Sequence, residues 1–195
     1  MLTFFDAPVS ANTYKVRLLL KQLVIPHEVV RLDLLKGDAR TAEYRARNPF
    51  GRVPFIDEDG FGLAESNAIL LYLSRNTRLL PADARGRALV SQWMFFEQNQ
   101  VEISIGISRF LRIQKTEAPQ VMEHHDARAK AGLRVLERHL SAHSFLVSDT
   151  YSVADISLYA YTHLAPDAGH DLSRYPAITA WLQRFRAQPG WFPHQ

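Results

Sequence analysis

The chain contains no cysteine. That absence excludes a disulfide scaffold, a cysteine-ligated metal, a C-x-x-C redox centre and any mechanism that runs through a protein thiol. No apolar run is long enough to span a bilayer, and the start, Met1-Leu2-Thr3-Phe4-Phe5-Asp6, lacks the charged leader and small-residue cleavage site of a signal peptide. A cytoplasmic location with no membrane partner is therefore expected. Clustered charge is missing too. The formal net charge is only +3, and basic residues alternate with acids, as in Arg31-Leu32-Asp33 and Glu137-Arg138, without the stripe expected of a nucleic-acid binder. No internal repeat or low-complexity tract is visible. What is present is 195 residues, 47% of them apolar, enough for one large domain or two small ones with a substantial core.

Periodicity divides the chain. Leu2 to Phe5 reads as a strand, Asn12 to Leu23 as a helix with Val16, Leu19, Leu20 and Leu23 at helical spacing, and Glu28 to Leu32 as a second strand, parallel to the first by the right-handed crossover rule. A polar helical segment (Ala39 to Arg47), a strand from Val53 to Asp57, a Glu58-Asp59-Gly60 turn, a strand from Phe61 to Ala64 and a closing helix follow. The order is βαβ, α, ββα. Polar residues and Pro81 then end the alternation, and an all-helical region follows. The expected boundaries are a first domain at 1–76, a linker at 77–83 and a helical domain at 84–195. Within the latter, one long helix is expected from about Ala84 to Gln114, a second from Pro119 to His143 and a last from Tyr175 to Ala187. Tyr151-Ser152-Val153-Ala154-Asp155-Ile156 has Ser152 at an N-cap, an acid three residues later and a hydrophobic staple, so Ser152 and Asp155 read as folding residues.

Two motifs in the first domain point to a ligand. In Asn48-Pro49-Phe50-Gly51-Arg52-Val53-Pro54-Phe55-Ile56, Pro54 opens an apolar run, where it cannot donate to a sheet ladder. X-Pro bonds are also the ones that become cis at modest cost. With a cis Val53-Pro54 bond, the Val53 amide and carbonyl turn outward and pair with an extended peptide as an added strand would. Glu65-Ser66 then opens a helix. Ser66 reads as its N-cap; the helix start suits a carboxylate, and the neighbouring Glu65 suits an ammonium group, the two charges of an α-amino acid.

This combination resembles the glutathione transferase family, whose first domain has a thioredoxin-like fold with Val-Pro before its third strand and Glu-Ser or Gln-Ser at its third helix. The resemblance extends over nearly the whole chain, with the strong motifs in the first 80 or so residues. It implies a thioredoxin-like domain followed by an all-α domain, glutathione as co-substrate with no metal, a small hydrophobic electrophile as second substrate, and a homodimer. In that family the loop entering the first helix carries a residue that activates the glutathione sulfur. Ser10 matches it when Lys15-Val16-Arg17 is aligned with the family's basic-Val-Arg run, and Ser10-Ala11-Asn12 is similar to the Thr-Pro-Asn arrangement of some bacterial members, which adds Asn12. A thiolate there faces the positive end of a helix, and a single charge-assisted hydrogen bond of roughly 1.5–3 kcal/mol compares with about 1.36 kcal/mol for each pKa unit. Ser10 also reads as a plain N-cap. The glutathione-binding residues implied are Arg52, Val53, Pro54, Glu65 and Ser66, with Lys36 and Arg40 as further partners for the glycine carboxylate.

Pro8, Tyr14, Gln98, Ser104 and Ser108 are candidates for the electrophile pocket, although core packing explains the neighbouring Ile105 equally well. Phe50 lies in a loop that supplies an aromatic key to the dimer in some classes. Trp191-Phe192-Pro193-His194-Gln195 either covers the pocket or packs elsewhere. His139 and His143 have the spacing of a metal half-site without a recognisable third ligand. Two rival functions stay open. One is glutathione-dependent isomerisation, or disulfide or peroxide reduction, without a protein cysteine. The other is a non-catalytic binding or regulatory module.

Overall fold

The structure is a computed structural model and describes residues 1–194. The chain forms two compact units, Met1–Arg75 together with the segment beginning at Pro189, and Asn76–Gln188.

The first unit is a four-stranded mixed sheet in the order β2-β1-β3-β4. Strand β1 (Leu2–Asp6) pairs parallel with β2 (Glu28–Arg31), across the helix α1 (Ala11–Gln22), and antiparallel with β3 (Phe55–Glu58). β3 continues into β4 (Phe61–Ala64) through Asp59 and Gly60, whose φ values of 52° and 89° form the doubly left-handed two-residue turn that matches strand twist. Register partners share a face of the sheet. Phe4 opposite Ile56 is therefore buried with Val16, Leu19, Ile69 and Leu70, the last two from α3 (Ser66–Leu73). Phe5 opposite Phe55 packs with Ala39 and Tyr44, the latter in α2 (Ala42–Arg47). Covering both faces of the central strand excludes water from four large side chains, each contributing roughly 1.5–3 kcal/mol.

From Pro189 the chain returns to α1. The Tyr14 hydroxyl donates to the Phe192 carbonyl, and the Phe192 ring meets Tyr14 edge-on with the Lys21 ammonium 4.7 Å from its centroid. His194 packs against the same tyrosine ring. The expectation for Gln195 lies outside the described residues.

The second unit is helical: α4 (Ala84–Phe96), α5 (Ile103–Ile113), α6 (Pro119–Leu140), α7 (Val153–Thr162) and α8 (Pro176–Arg186). The single long helix expected between Ala84 and Gln114 is instead divided. Residues Glu97–Glu102 are π-helical, and Glu97 is fully buried there, accepting from Ser157 of α7. The wider turn sets that acid against the α7 hydroxyl, a demand that apolar periodicity does not reveal. The Ser152–Asp155 capping box forms as expected. The buried centre is aromatic, with Tyr159 stacked on Phe185 at 3.7 Å between ring centroids and Trp181 edge-on to both.

Candidate active site

The candidate site is built where two helices of the first unit begin. α1 starts after the tight loop Ala7-Pro8-Val9-Ser10. Ser10 is its N-cap in extended conformation, and its hydroxyl accepts from the Thr13 amide at 3.4 Å, a long bond that leaves the oxygen loosely held. The loop itself is pinned firmly. Thr13 Oγ1 donates to the carbonyls of Ala7 (2.7 Å) and Ser10 (2.9 Å), and Arg17 Nη2 donates to the Pro8 carbonyl at 2.8 Å. Arg17 Nε lies 3.5 Å from the buried Asp6 carboxylate. Burial lowers the Arg17 pKa, and the charge of Asp6 opposes that shift.

α3 begins at Ser66, so the sequence-based assignment of Ser66 as N-cap is corrected by one position. The cap is Glu65, at φ 70° and ψ 115°, with no side-chain capping bond. A non-glycine residue in that region costs on the order of 1–3 kcal/mol and persists where the surroundings impose it. The Glu65 side chain is exposed while Ser66 is buried. Ser66 had been expected to cap its own helix; instead its hydroxyl donates to Asn12 Oδ1 at 3.0 Å and accepts from Lys15 Nζ at 3.4 Å. The two helix N-termini, each with unpaired amides and positive dipole, are thus joined by one hydrogen bond.

Between them runs the loop before β3. The Val53–Pro54 bond is cis. Val53 stands just ahead of the ladder, whose first pairs here are Phe5 with Phe55 and Phe55 with Ala64. The Arg52 carbonyl is held by Tyr44 Oη (2.6 Å) and by Asn48 Nδ2 (2.7 Å), while Asn48 Oδ1 accepts from the Phe50 amide at 3.1 Å. Burial raises the Tyr44 pKa, which keeps this hydroxyl a donor. The Arg52 side chain is exposed.

The structure therefore brings Ser10, Asn12, Glu65 and Ser66 to two helix starts joined by the Asn12–Ser66 bond, with Val53 and Pro54 in the loop that leads into β3. The residues that position them, Thr13, Lys15, Tyr44 and Asn48, escape sequence reasoning. The other candidates fall elsewhere. Tyr14 is fully buried with its hydroxyl bonded to Phe192. Ser104 and Ser108 have no exposed surface, and Ser108 donates to Asp126 of α6 at 2.9 Å. Gln98 donates to Glu102 at 2.6 Å. Serines without accessible surface and an amide committed within its own helix do not form a pocket wall, so these positions are left out of the site. Pro8 stays in the loop beside Ser10, and Lys36 and Arg40 are exposed. Phe50 is exposed as well. His139 stacks on His143 at 4.5 Å, and among the described residues no group of three His, Asp or Glu side chains is arranged to hold a metal.

A thioredoxin-like domain with two apposed helix starts beside a cis-proline edge, followed by an all-helical unit, defines the class. Comparison with known proteins identifies the family. Residues 1–75 match the glutathione S-transferase N-terminal domain and residues 119–184 the glutathione S-transferase C-terminal domain. The chain is 31% identical to the probable glutathione S-transferase GSTF2 of Oryza sativa subsp. japonica, over 95% of this chain and 91% of that protein. It is 29% identical to the disulfide-bond oxidoreductase YfcG of Escherichia coli (strain K12), over 97% and 92% of the two chains. A solved glutathione S-transferase from Pseudomonas fluorescens superposes with a TM-score of 0.95 at 40% identity, covering 99% of this chain and 98% of that one. This protein belongs to the glutathione S-transferase family.

Proposed function

We propose that this protein binds glutathione in its first unit and transfers the glutathione thiolate to electrophilic small molecules. The observation that carries the reading is the 3.0 Å bond between Ser66 and Asn12, because it joins the two helix starts to which this reading assigns the carboxylate and the thiol. In this reading the α-carboxylate of the γ-glutamyl residue sits at the α3 amides, its ammonium group at Glu65, and the cysteinyl backbone along Val53, with Arg52 toward the glycine carboxylate. The sulfur then reaches the start of α1, where Ser10 and Asn12 donate to it and the helix dipole lowers its pKa. The thiolate attacks an electrophilic carbon, its lone pair forming the C–S bond as the leaving group departs with the bond electrons. The protein supplies no covalent nucleophile. Family membership supports a homodimer as the working assembly.

A second reading, glutathione-dependent disulfide reduction, is favoured by the 29% identity to the disulfide-bond oxidoreductase YfcG over nearly the full chain. It uses the same thiol site with a disulfide in place of the carbon electrophile. Conjugation and disulfide-reductase assays on wild type, Ser10→Ala and Asn12→Ala decide between them. Transfer activity that falls at least about tenfold in either variant, the loss of one charge-assisted hydrogen bond, supports the transferase. Disulfide turnover without conjugation selects the reductase, and glutathione binding with no turnover of any kind rejects both.

A further inference from the structure

A lysine is fully buried at the start of the first helix. Lys15 lies on α1 among Val16, Leu18 and Leu19 and has no exposed surface. Its ammonium donates to Ser66 Oγ at 3.4 Å, and Ser66, itself only 3% exposed, donates a hydrogen bond to Asn12 Oδ1 at 3.0 Å. We infer that Lys15 is a positioning residue of the thiol site, acting through Ser66 to fix which face of the Asn12 amide meets the glutathione sulfur. The inference rests on the function proposed above.

A lysine side chain can only donate, and a serine hydroxyl has one proton. When the Ser66 oxygen accepts from Lys15, its proton is directed to another acceptor, and Asn12 Oδ1 is in place. The chain from Lys15 to Ser66 to Asn12 therefore has one direction. An amide whose oxygen is engaged by Ser66 has its NH₂ group on its opposite edge, the edge that the proposal assigns to the glutathione sulfur. A donor is what a thiolate needs; an amide flipped by 180° would oppose it with an oxygen. Without Lys15, Ser66 can rotate its proton away from Asn12, and the bond that engages the Asn12 oxygen is weakened. Packing alone does not call for a charge here, since methionine would fill the same space without the cost of desolvating an ammonium. Other ionisable groups on the surrounding elements include Lys21 on α1, Tyr72 on α3, Glu65 before it, Asp57 and Glu58 on β3, Arg52 before it, and the Asp6–Arg17 pair that links β1 to α1; among the contacts described, none of them bonds to Ser66.

The test measures the thiol pKa of bound glutathione by ultraviolet titration of the thiolate, in wild type, Lys15→Met, Ser66→Ala and the double variant. Circular dichroism checks folding, and calorimetry gives the glutathione affinity. Lys15→Met is expected to raise the bound-thiol pKa by about one unit or more, a tenfold loss of thiolate below that pKa, while the affinity stays within about threefold. Ser66→Ala should move it comparably, and the double variant no further than the larger single change, as for residues acting in one chain. A folded Lys15→Met that binds glutathione with its thiol pKa unchanged overturns the inference, and so do additive shifts. Lys15→Gln, which keeps a donor without the charge, should give a smaller shift; if neither Lys15 variant folds, the residue is a core element and the positioning role is rejected. Wild type that binds no glutathione rejects the functional reading instead, so the two failures are separable.

Discussion

Removing the carboxylate of Asp155 should unfold the helical unit more readily than truncating any surface acid. Asp155 is fully buried and accepts from Ser152 N (2.9 Å), Ser152 Oγ (3.2 Å), Leu146 N (3.2 Å) and Trp181 Nε1 (2.9 Å). It closes the capping box of α7 and ties that helix to the Leu146 loop and to α8. Alanine leaves three buried N–H donors without a partner, because the Ser152 hydroxyl alone can turn elsewhere. At about 1–3 kcal/mol each, those donors cost roughly 3–9 kcal/mol. Against this stands the desolvation that raises the Asp155 pKa to about 6 despite its donors. Measured from an unperturbed value of about 3.9, that shift is worth about 3 kcal/mol and is relieved when the charge is removed. Taking the middle of the donor range, about 6 kcal/mol, less the relieved desolvation of about 3, the net loss for Asp155→Ala is about 3 kcal/mol, a fall in melting temperature of roughly 6–12 °C for a chain of this size. Asp155→Asn keeps one acceptor and should fall between alanine and wild type at pH 7. The pH dependence has a definite sign. A folded-state pKa above the unfolded value means the native state holds the proton longer, so this group's stabilisation is present below about pH 4 and is lost as pH rises through about 6. Chemical denaturation of the three proteins at pH 5 and 7 checks both parts. An Asp155→Ala loss below about 1 kcal/mol would refute the reasoning.

Other consequences can be measured with the same samples. Burial beside Trp93 and stacking against His143 lower the His139 pKa. The native state then binds its proton later than the unfolded chain, so stability is present above about pH 6.5 and declines as pH falls below it. Wild type should therefore lose melting temperature between pH 7.5 and 5.5 faster than His139→Gln; parallel curves would contradict this. Glu65→Gly relieves a left-handed backbone at φ 70°. It should gain up to about 1 kcal/mol of stability in denaturant melts while weakening glutathione binding more than tenfold, and a clear loss of stability would show that the conformation carries no strain.

Much of the fold was legible because local chemistry specifies it. Asp59-Gly60 dictates its turn, Val53-Pro54 marks the edge, and Ser152 with Asp155 encodes a cap that needs nothing beyond its own segment. The candidate site was legible at Ser10, Asn12 and Glu65-Ser66, which stand at the two helix starts joined by the Asn12–Ser66 bond. Its supports were not. Lys15 reads in sequence as part of a basic run and proves to be buried, because what it touches is 51 residues away. Asn48 and Tyr44 act on the Arg52 carbonyl, a backbone group with no signature in sequence. The π-helical segment at Glu97–Glu102 answers to Ser157 on another helix, and the docking of Phe192 on Tyr14 depends on a pairing 178 residues apart. Pairings at such distance leave no periodic trace.

The central claim is that a glutathione molecule lies along the Val53 edge with its amino-acid end at Glu65-Ser66 and its sulfur at the start of α1. A calorimetric titration of the wild-type protein with glutathione tests it most directly. Saturable uptake of one tripeptide per chain, with a dissociation constant in the millimolar range or tighter, is the expected result, corresponding to at least about 4 kcal/mol of binding free energy. A titration with no saturable heat at millimolar glutathione would contradict it.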